Sequence, residues 1–359
     1  MRAAVCHAFG EPLVVEEVEL ARPAQGEVRV RVAACAVCRS DVAYASGAWE
    51  GALPTVYGHE VAGVVEDVGE QAGGLAPGDH VVVTLVRSCG ACHVCLRGQP
   101  ALCVTRFALD EQSPLRAADG SEIIQGLRTA GFAEEVLVHH SQAVRVPAEL
   151  PLDRACLLAC GVLTGYGAVV NTAGVRAGDS VAVIGAGGVG VNCIQGALLA
   201  RAFPIVAIDL TPAKLAAATA FGATHVVERP AQDASELVGE LTEGRGVDCA
   251  IVATGAPAAV EQALRLVRRG GSVVIVGMPA DGVTVPLDTA GLAHDGVQIL
   301  GSKLGSAQPA RDIPLLAALY LDGRLRLDEL ISSRSPLAAI NDVLAATGRG
   351  DGPRAVIEL

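Results

Sequence analysis

The sequence has 359 residues, which is long enough for two domains that each bury a core of their own. Its formal net charge of −12 disfavours nucleic acid as a partner, because such a partner requires a basic surface patch. No run of about 20 apolar residues occurs, so we expect no membrane span. The chain has 11 cysteines and no sign of secretion. This content predicts reduced thiols, some of them metal ligands, in a cytoplasmic protein.

The first part of the chain is predicted to form a β-rich, barrel-like domain. Valine-rich runs at 28–32, 61–68 and 81–83 alternate apolar and polar residues, and turn signals such as Pro77-Gly78 separate them. This period of two, broken by glycine and proline, is typical of short strands that bury one face.

Three residues in the first part of the chain are candidate metal ligands. Cys38, His59 and Cys160 lie far apart in the sequence. Taken singly, His59 is better explained as a hydrogen-bonded core histidine, and each cysteine as an inert buried thiol. Together they form a Cys₂His set, which leaves one position of a zinc ion open, as a catalytic site requires.

Four cysteines are concentrated within fifteen residues of the same region. Two C-x-x-C steps share Cys92 as their middle cysteine, and a longer spacing leads to the last one: Cys89, Cys92, Cys95 and Cys103. This spacing brings four thiolates within reach of one tetrahedral zinc ion. Reduced or disulfide-paired cysteines are the alternative, and zinc is favoured because nothing indicates secretion.

From about residue 160 the pattern changes to alternating strands and helices. Six short apolar runs are predicted strands: 180–184, 205–208, 225–227, 249–253, 272–276 and 297–300. A helix is predicted over 212–221, with Thr211 as its N-cap. Six strands with crossover helices predict a doubly wound parallel sheet over 162–299, an α/β fold of the Rossmann type. Residues 300–359 are expected to return to the first domain, 1–161.

A glycine-rich turn follows the first of these strands. It reads G-A-G-G-V-G, where Gly185 permits the tight turn, Gly187 admits a pyrophosphate and Gly190 lets helix and strand pack closely. Asp209 ends the next strand, nineteen residues after Gly190. An acidic residue there binds ribose hydroxyls and repels a 2′-phosphate, which favours NAD over NADP. A simple turn or N-cap role is the alternative for Asp209.

Five motifs together resemble those of the zinc-dependent medium-chain alcohol dehydrogenases of the liver type, over essentially the whole chain. They are C-R-S-D at 38–41, G-H-E-x-A-G at 58–63, the four-cysteine lobe at about 87–104, C-G-V-x-T-G-Y-G at 160–167 and G-x-G-G-V-G at 185–190. The closing G-D-G-P-R at 350–354 also matches. The resemblance implies a GroES-like catalytic domain, two zinc ions per chain, NAD as cofactor, and transfer of a hydride from an alcohol to NAD.

The resemblance also implies a role for each matching residue. Cys38, His59 and Cys160 would bind the catalytic zinc, and Cys89, Cys92, Cys95 and Cys103 a structural zinc. Asp41 would hold His59, Glu60 would lie behind the metal, and Ser40 would bind the substrate oxygen and start a proton relay. Cofactor contacts are implied for the following residues: Arg39, Thr164, Gly185, Gly187, Gly188, Val189, Gly190, Asp209, Lys214 and Arg354. The relay histidine of liver-type members is replaced by Ala43, so protons must leave by another route.

Trp49, Leu85 and Met278 align with the substrate channel of the family. Because these residues are apolar, we expect a hydrophobic primary alcohol, aliphatic or aromatic, and its aldehyde. Two alternatives remain. One is a dehydrogenase of the hemithioacetal that formaldehyde forms with a thiol, for which Arg87, Arg106 or Arg128 would bind the anionic conjugate. The other is a non-catalytic zinc- and nucleotide-binding protein.

The family also implies a homodimer or homotetramer. Assembly is expected to continue the nucleotide-domain sheet, with 272–276 and 282–286 as plausible edge elements. His139 and His140 resemble a further metal site at first sight. Since neighbouring strand residues face opposite ways, we interpret them as surface or packing residues.

Overall fold

A computed structural model of the chain describes residues 1–228 and 234–359. The described residues form two compact units. The first consists of Met1–Gly161 and Gln308–Leu359, and the second of Val162–Ala307. The chain therefore leaves the first unit after Gly161 and returns to it at Gln308.

The first unit is dominated by strands. Its strands are β1 (Arg2–Cys6), β2 (Val14–Glu17), β3 (Glu19–Leu20), β4 (Glu27–Val37), β5 (Thr55–Val56), β6 (Glu60–Val68), β7 (His80–Val83), β8 (Leu115–Arg116), β9 (Glu122–Gln125), β10 (Glu135–His139), β11 (Ala143–Arg145), β18 (Ile331–Pro336) and β19 (Arg354–Glu358). Its helices are α1 (Arg39–Ala45), α2 (Ala108–Glu111), α3 (Leu152–Ala155), α10 (Pro309–Leu321) and α11 (Ile340–Arg349).

Two sheets build this unit, in the orders β2-β1-β5-β9-β8-β3 and β11-β7-β6-β4-β19-β18, and β10 also pairs with β4. The long strand β4 shows why the valine pattern folds this way. Val28, Val30 and Val32 are at most 2% exposed, whereas Arg31 pairs with Glu66 at the surface. Each fully buried valine contributes about 1.5–3 kcal/mol relative to an exposed one, so the alternation fixes which face of β4 is inside. The predicted β-rich domain is confirmed.

The second unit alternates strands with helices. Its strands are β12 (Val181–Ile184), β13 (Ile205–Asp209), β14 (His225–Glu228), β15 (Val247–Val252), β16 (Val267–Ile275) and β17 (Gln298–Gly301). Its helices are α4 (Gly161–Gly167), α5 (Gly190–Leu199), α6 (Pro212–Ala220), α7 (Ala234–Leu241), α8 (Pro257–Leu266) and α9 (Thr289–Asp295), and a π-helical segment, Ala168–Ala173, follows α4.

The six strands of this unit form a parallel sheet in the order β14-β13-β12-β15-β16-β17. The order runs outward from β12 in both directions, as in a doubly wound nucleotide-binding fold. The predicted Rossmann sheet is therefore confirmed.

The predicted sheet edge at 272–276 is wrong. That segment belongs to β16, which is covered by β17 through pairs from Ser272 to Ile275. Residues 282–286 lie in no strand. The edge beyond β16 is instead formed by β17, Gln298–Gly301, which overlaps the last predicted apolar run at 298–300.

No single helix in the described ranges is long and apolar enough to cross a membrane. One pair of consecutive helical segments, Leu152–Ala159 and Gly161–Ala173, reaches the length and apolar composition of a membrane span only when the two are counted together, and the pair is bent by 49°.

Candidate metal centres and nucleotide site

Four buried side chains of the first unit converge on one point. They are Cys38, His59, Glu60 and Cys160, and their possible ligand atoms all lie within 4.8 Å of one another. Cys38 is the N-cap of α1, and Cys160 follows a short 3₁₀ turn. Glu60 is the first residue of β6, and His59 directly precedes it. The structure thus brings the predicted Cys₂His set together. We call these four residues the buried centre.

Asp41 fixes the geometry of this centre from behind. Its side chain is fully buried, and it accepts hydrogen bonds from the backbone N–H groups of Cys38 at 2.9 Å and Gly58 at 3.0 Å. Its Oδ1 lies 3.0 Å from Nδ1 of His59. A carboxylate at Nδ1 holds the proton there and leaves Nε2 free to bind a metal.

Glu60 of the buried centre forms a buried pair with Arg354. Arg354 Nη2 lies 3.0 Å from Glu60 Oε1, which is an ion-pair distance. The two groups are not aligned as a hydrogen bond, and both Glu60 oxygens lack a hydrogen-bond partner among the described residues. Buried carboxylate oxygens without partners are costly, and a cation at this point satisfies them. The donor set therefore fits a zinc ion.

The charges of the buried centre act on one another. The Cys160 thiol, together with Arg354 and His59, outweighs burial and holds the pKa of Cys38 well below its usual value. The pKa of Cys160 is raised well above its usual value by its hydrogen bond to Cys38 and by burial. Burial raises the pKa of Glu60 to about 8 against the opposing charge of Arg354. Burial opposes protonation of His59, but Asp41 and Cys38 outweigh it and raise its pKa.

The two residues next to Cys38 have different surroundings. Ser40 is half-buried, and its Oγ lies 3.8 Å from Cys38 Sγ. Arg39 is exposed and donates to the carbonyls of Gly348 at 2.6 Å and Thr347 at 3.4 Å, at the end of α11. Ser40 is thus beside the buried centre, and Arg39 is held at a helix C-terminus, where a cation is favoured.

The four cysteines of the lobe also converge. The ligand atoms of Cys89, Cys92, Cys95 and Cys103 lie within 4.8 Å of one another, and all four residues are half-buried. Backbone N–H groups of residues 91 and 92 donate to Cys89 Sγ at 3.4 and 3.2 Å. The Thr105 hydroxyl donates to the same sulfur at 3.0 Å and, with these N–H groups, lowers the pKa of Cys89 to about 6. Thiolates stabilised in this way fit a closed tetrahedral zinc site.

The glycine-rich turn of the second unit has the shape that a nucleotide requires. Gly185 has a φ of +94°, and a Cβ on Gly190 would lie 1.8 Å from the Gly185 carbonyl oxygen. A Cβ on Gly187 would meet nothing within 4 Å, so open space lies above this residue. The N-terminus of α5 begins at Gly190 and offers free N–H groups to an anion. The site therefore fits a dinucleotide.

Asp209 closes this turn. It is half-buried at the end of β13, where Oδ2 accepts from Ala186 N at 2.8 Å and Oδ1 from Thr211 N at 2.9 Å. Lys214 lies half-buried in the first turn of α6, and Thr164 is buried in α4. Gly188 and Val189 lie half-buried within the turn itself.

The predicted substrate-channel residues lie in both units. Trp49 is half-buried and meets the Tyr44 ring edge-on, with the ring centroids 5.3 Å apart. Tyr44 also stacks on the buried Tyr57 at 6.0 Å. This small aromatic cluster was not predicted, because the three rings come together only through the fold. Leu85 is half-buried, and Met278 of the second unit is 67% exposed.

The strand alternation predicted for His139 and His140 is wrong. His139 ends β10 and His140 begins a 3₁₀ turn, so the alternation of a strand does not extend across them. Their ring centroids lie only 4.3 Å apart, and the His139 ring contacts Phe107 at 4.7 Å. Both side chains are half-buried packing residues.

Comparisons with known proteins decide the family. Residues 24–148 match the alcohol dehydrogenase GroES-like domain, and residues 188–320 match the zinc-binding dehydrogenase domain. The NDMA-dependent alcohol dehydrogenase of Amycolatopsis methanolica is 36% identical over 99% of this chain and 98% of that protein. The chain belongs to the zinc-dependent medium-chain alcohol dehydrogenase family.

Two further members of this dehydrogenase family are informative about its range. The S-(hydroxymethyl)glutathione dehydrogenase of Aspergillus oryzae is 35% identical, with 100% of this chain and 96% of that protein aligned. The crystal structure of benzyl alcohol dehydrogenase from Acinetobacter calcoaceticus superposes with a TM-score of 0.92 at 30% identity, covering 100% of this chain and 99% of the other. The protein is thus a zinc alcohol dehydrogenase that uses a nicotinamide nucleotide, and its relatives act on chemically different substrates.

Proposed function

We propose that this dehydrogenase oxidises a hydrophobic primary alcohol to its aldehyde with NAD, reversibly. The observation that carries the proposal is the buried centre, where two cysteines, a histidine fixed by Asp41 and an unsatisfied carboxylate surround one point. In this proposal Cys38, His59 and Cys160 hold the catalytic zinc and the four lobe cysteines hold the second ion. When bound, the zinc supplies Lewis-acid activation of the alcohol oxygen, and NAD accepts the hydride.

The residues around the buried centre orient His59, accept the substrate proton and balance charge. Asp41 keeps His59 in one tautomer and orientation. Ser40 is the residue that we assign to the substrate proton, because its hydroxyl lies beside Cys38. Ala43 provides no onward acceptor in its side chain, so the proton reaches solvent through another group or water. Glu60 and Arg354 balance the charge behind the ligands.

The preference for NAD rests on Asp209. Two backbone N–H groups hold its carboxylate at the end of β13, where it repels the 2′-phosphate of NADP. Replacing Asp209 with Ser removes this charge, so the ratio of kcat/KM for NAD to that for NADP is expected to fall at least about tenfold, or about 1.4 kcal/mol. Asp288→Asn, which alters a cap of α9, serves as the control and should leave the ratio unchanged.

The substrate class rests on three apolar side chains, Trp49, Leu85 and Met278. The relative that acts on benzyl alcohol supports an aromatic or aliphatic alcohol. The test is NADH formation by the purified protein with short aliphatic, long aliphatic, aromatic and polyol alcohols. Turnover of apolar alcohols without an added thiol supports the proposal, and turnover of polyols alone contradicts it.

A thiol-adduct dehydrogenase is the second candidate, because the Aspergillus relative carries that name. The structure weakens it at the predicted anion-binding residues. Arg87 is buried against Asp110, and Arg128 pairs with the same carboxylate at 3.1 Å, which leaves Arg106 as the exposed candidate. Activity only with formaldehyde plus a thiol would favour this function.

Zinc content tests whether the protein has a non-catalytic role, since two ions per chain support catalysis and one supports a structural protein.

We also propose that the second unit, predicted as 162–299, is the NAD-binding domain, and that the first unit carries both zinc ions. Assembly into a homodimer or homotetramer and a cytoplasmic location stay predictions, which light scattering and cell fractionation test.

A further inference from the structure

Arg87 is a buried cation whose hydrogen bonds play no part in the proposed function. Its side chain is fully buried, and Nε donates to Gln142 Oε1 at 2.7 Å while Nη1 donates to Asp110 Oδ1 at 3.0 Å. Nη2 donates both to Gln125 Oε1 at 2.9 Å and to the Arg128 carbonyl at 3.1 Å. A buried charge is retained at a cost in free energy, and the bonds of this one hold the chain segment at residues 125 and 128.

That segment is a strained turn. Leu127, Arg128 and Ala130 have φ values of +51°, +60° and +60°, a region that side chains other than glycine disfavour. Such a conformation persists only where its surroundings determine it. Two donors determine it here, because the Arg128 carbonyl accepts from Arg87 and also from Gln142 Nε2 at 2.9 Å.

The strained turn leads directly to a metal ligand. Gly131 N donates to the Gly58 carbonyl at 2.7 Å, and Phe132 N donates to the Tyr57 carbonyl at 2.9 Å. The two backbones touch here, because a Cβ on Gly58 would lie 2.6 Å from Phe132 N. His59 follows Gly58 in the chain, so a shift of the turn moves the backbone that carries His59.

We propose that Arg87 is a positioning residue for the buried centre: it holds the turn at 127–130 against Gly58 and thereby sets the position of His59. The proposal rests on the proposed function, because it requires His59 to be a ligand of the catalytic zinc. Arg87 itself contacts neither the ligands of the buried centre nor the reacting groups in this assignment.

The test compares metal release from the purified holoenzyme of Arg87→Met and the wild type. A zinc-sensitive dye follows release, and the variants His59→Ala and Cys103→Ser identify the phases that belong to the buried centre and to the lobe. We expect Arg87→Met to release the ion of the buried centre about tenfold faster and to lower kcat, with the lobe phase and the KM for NAD within about twofold. Arg87→Lys, which keeps the charge, should recover part of the loss.

Arg154→Met is the matched control. Arg154 is a half-buried, ion-paired arginine of the same unit, and its partners are Asp153 and Asp328. This variant should lower the Tm and leave both phases of zinc release unchanged. The proposal is overturned if Arg87→Met lowers the Tm while zinc release keeps its wild-type rate, or if only the lobe phase accelerates.

A second variant tests the route through the turn. Ala130→Gly relieves strain because glycine adopts a φ of +60° readily, so Arg87→Met should accelerate release less than about threefold in that background. An unchanged tenfold effect there would contradict the route. If Arg87→Met does not fold, Gln142→Leu removes the other donor to the Arg128 carbonyl and should give the same acceleration.

Two outcomes would instead overturn the proposed function: a wild-type chain that holds only one zinc ion, or a His59→Ala variant that still holds both ions.

Discussion

The two metal-binding clusters of the first unit are built in opposite ways. The lobe takes its four candidate ligands from residues 89–103 and leaves them half-exposed, and backbone N–H groups donate to the sulfurs of Cys89 and Cys103. The buried centre takes its ligands from three distant points of the chain and surrounds them with Asp41 and Arg354. The lobe is therefore a local structure that a metal completes, whereas the buried centre exists only because the whole unit has folded.

The donor sets differ in the same sense. Four thiolates fill a tetrahedral ion completely, so the lobe offers no position for a substrate. Two thiolates and one imidazole leave a position open, and Glu60 is within reach of the same point. We therefore expect the buried centre to carry the chemistry and the lobe to contribute stability.

Loss of a ligand in the buried centre should have the largest effect on turnover. We expect Cys160→Ser to lower kcat by about 10³-fold or more, because Lewis-acid activation contributes several kcal/mol to catalysis. The variant should contain one zinc ion per chain by atomic absorption and keep a Tm close to that of the wild type. A Cys160→Ser variant that retains a tenth of the wild-type activity would contradict the assignment of the chemistry to the buried centre.

Loss of a ligand in the lobe should act on stability instead. Cys103→Ser is expected to lower the Tm by roughly 10 °C, since metal binding contributes to folding and each kcal/mol shifts a domain of this size by about 2–4 °C. At low temperature its kcat should remain within about threefold of the wild type. An unchanged Tm by calorimetry would show that the lobe does not stabilise the unit.

Removal of the charge behind His59 should have an intermediate effect. Asp41→Asn disturbs the hydrogen bond that orients His59, so zinc affinity at the buried centre or kcat should fall by about 10–100-fold. Competition with a chelator measures the affinity, and Asp153→Asn, whose partners are Arg154 and Arg334, is the control. Equal effects of the two variants would mean that Asp41 acts only through stability.

The smallest effect concerns the reactivity of the two kinds of thiol. The Thr105 hydroxyl and backbone N–H groups hold the pKa of Cys89 at about 6, so the metal-free lobe carries a thiolate above that pH. After chelation, the rate of Cys89 alkylation should rise with pH, with a midpoint near 6, and Thr105→Val should move the midpoint upward. Cys38 also has a lowered pKa but is buried, so it should react much more slowly when peptides are mapped by mass spectrometry.

Features encoded by contiguous residues were predictable from the sequence. The lobe and the glycine-rich turn each occupy a single short segment, and their spacing alone brings the groups together. The parallel strands were found because both faces of the sheet are buried, which gives short apolar runs. Their ends differ by a few residues: β16 begins at Val267, five residues earlier than predicted, because its first pair is with Val247 of β15.

Features that depend on contacts between distant residues were not predictable in this way. Nothing in the sequence shows that β17 covers β16, or that Arg87 is buried against Gln125 and Gln142. Arg354 was expected at the cofactor pyrophosphate, which stays a prediction, but the partner that the structure gives it is Glu60. The signal that could have been noticed is an arginine in an apolar run immediately before the lobe.

The position of β19 has a consequence for the order of events during synthesis. This strand, Arg354–Glu358, pairs with β4 inside the sheet of the first unit, more than 300 residues away in the chain. The ribosome therefore completes the whole second unit while the first still lacks an internal strand and the arginine behind Glu60. The newly made chain can complete this sheet only when residue 358 has emerged from the ribosome, so the first unit finishes folding after the second has been made.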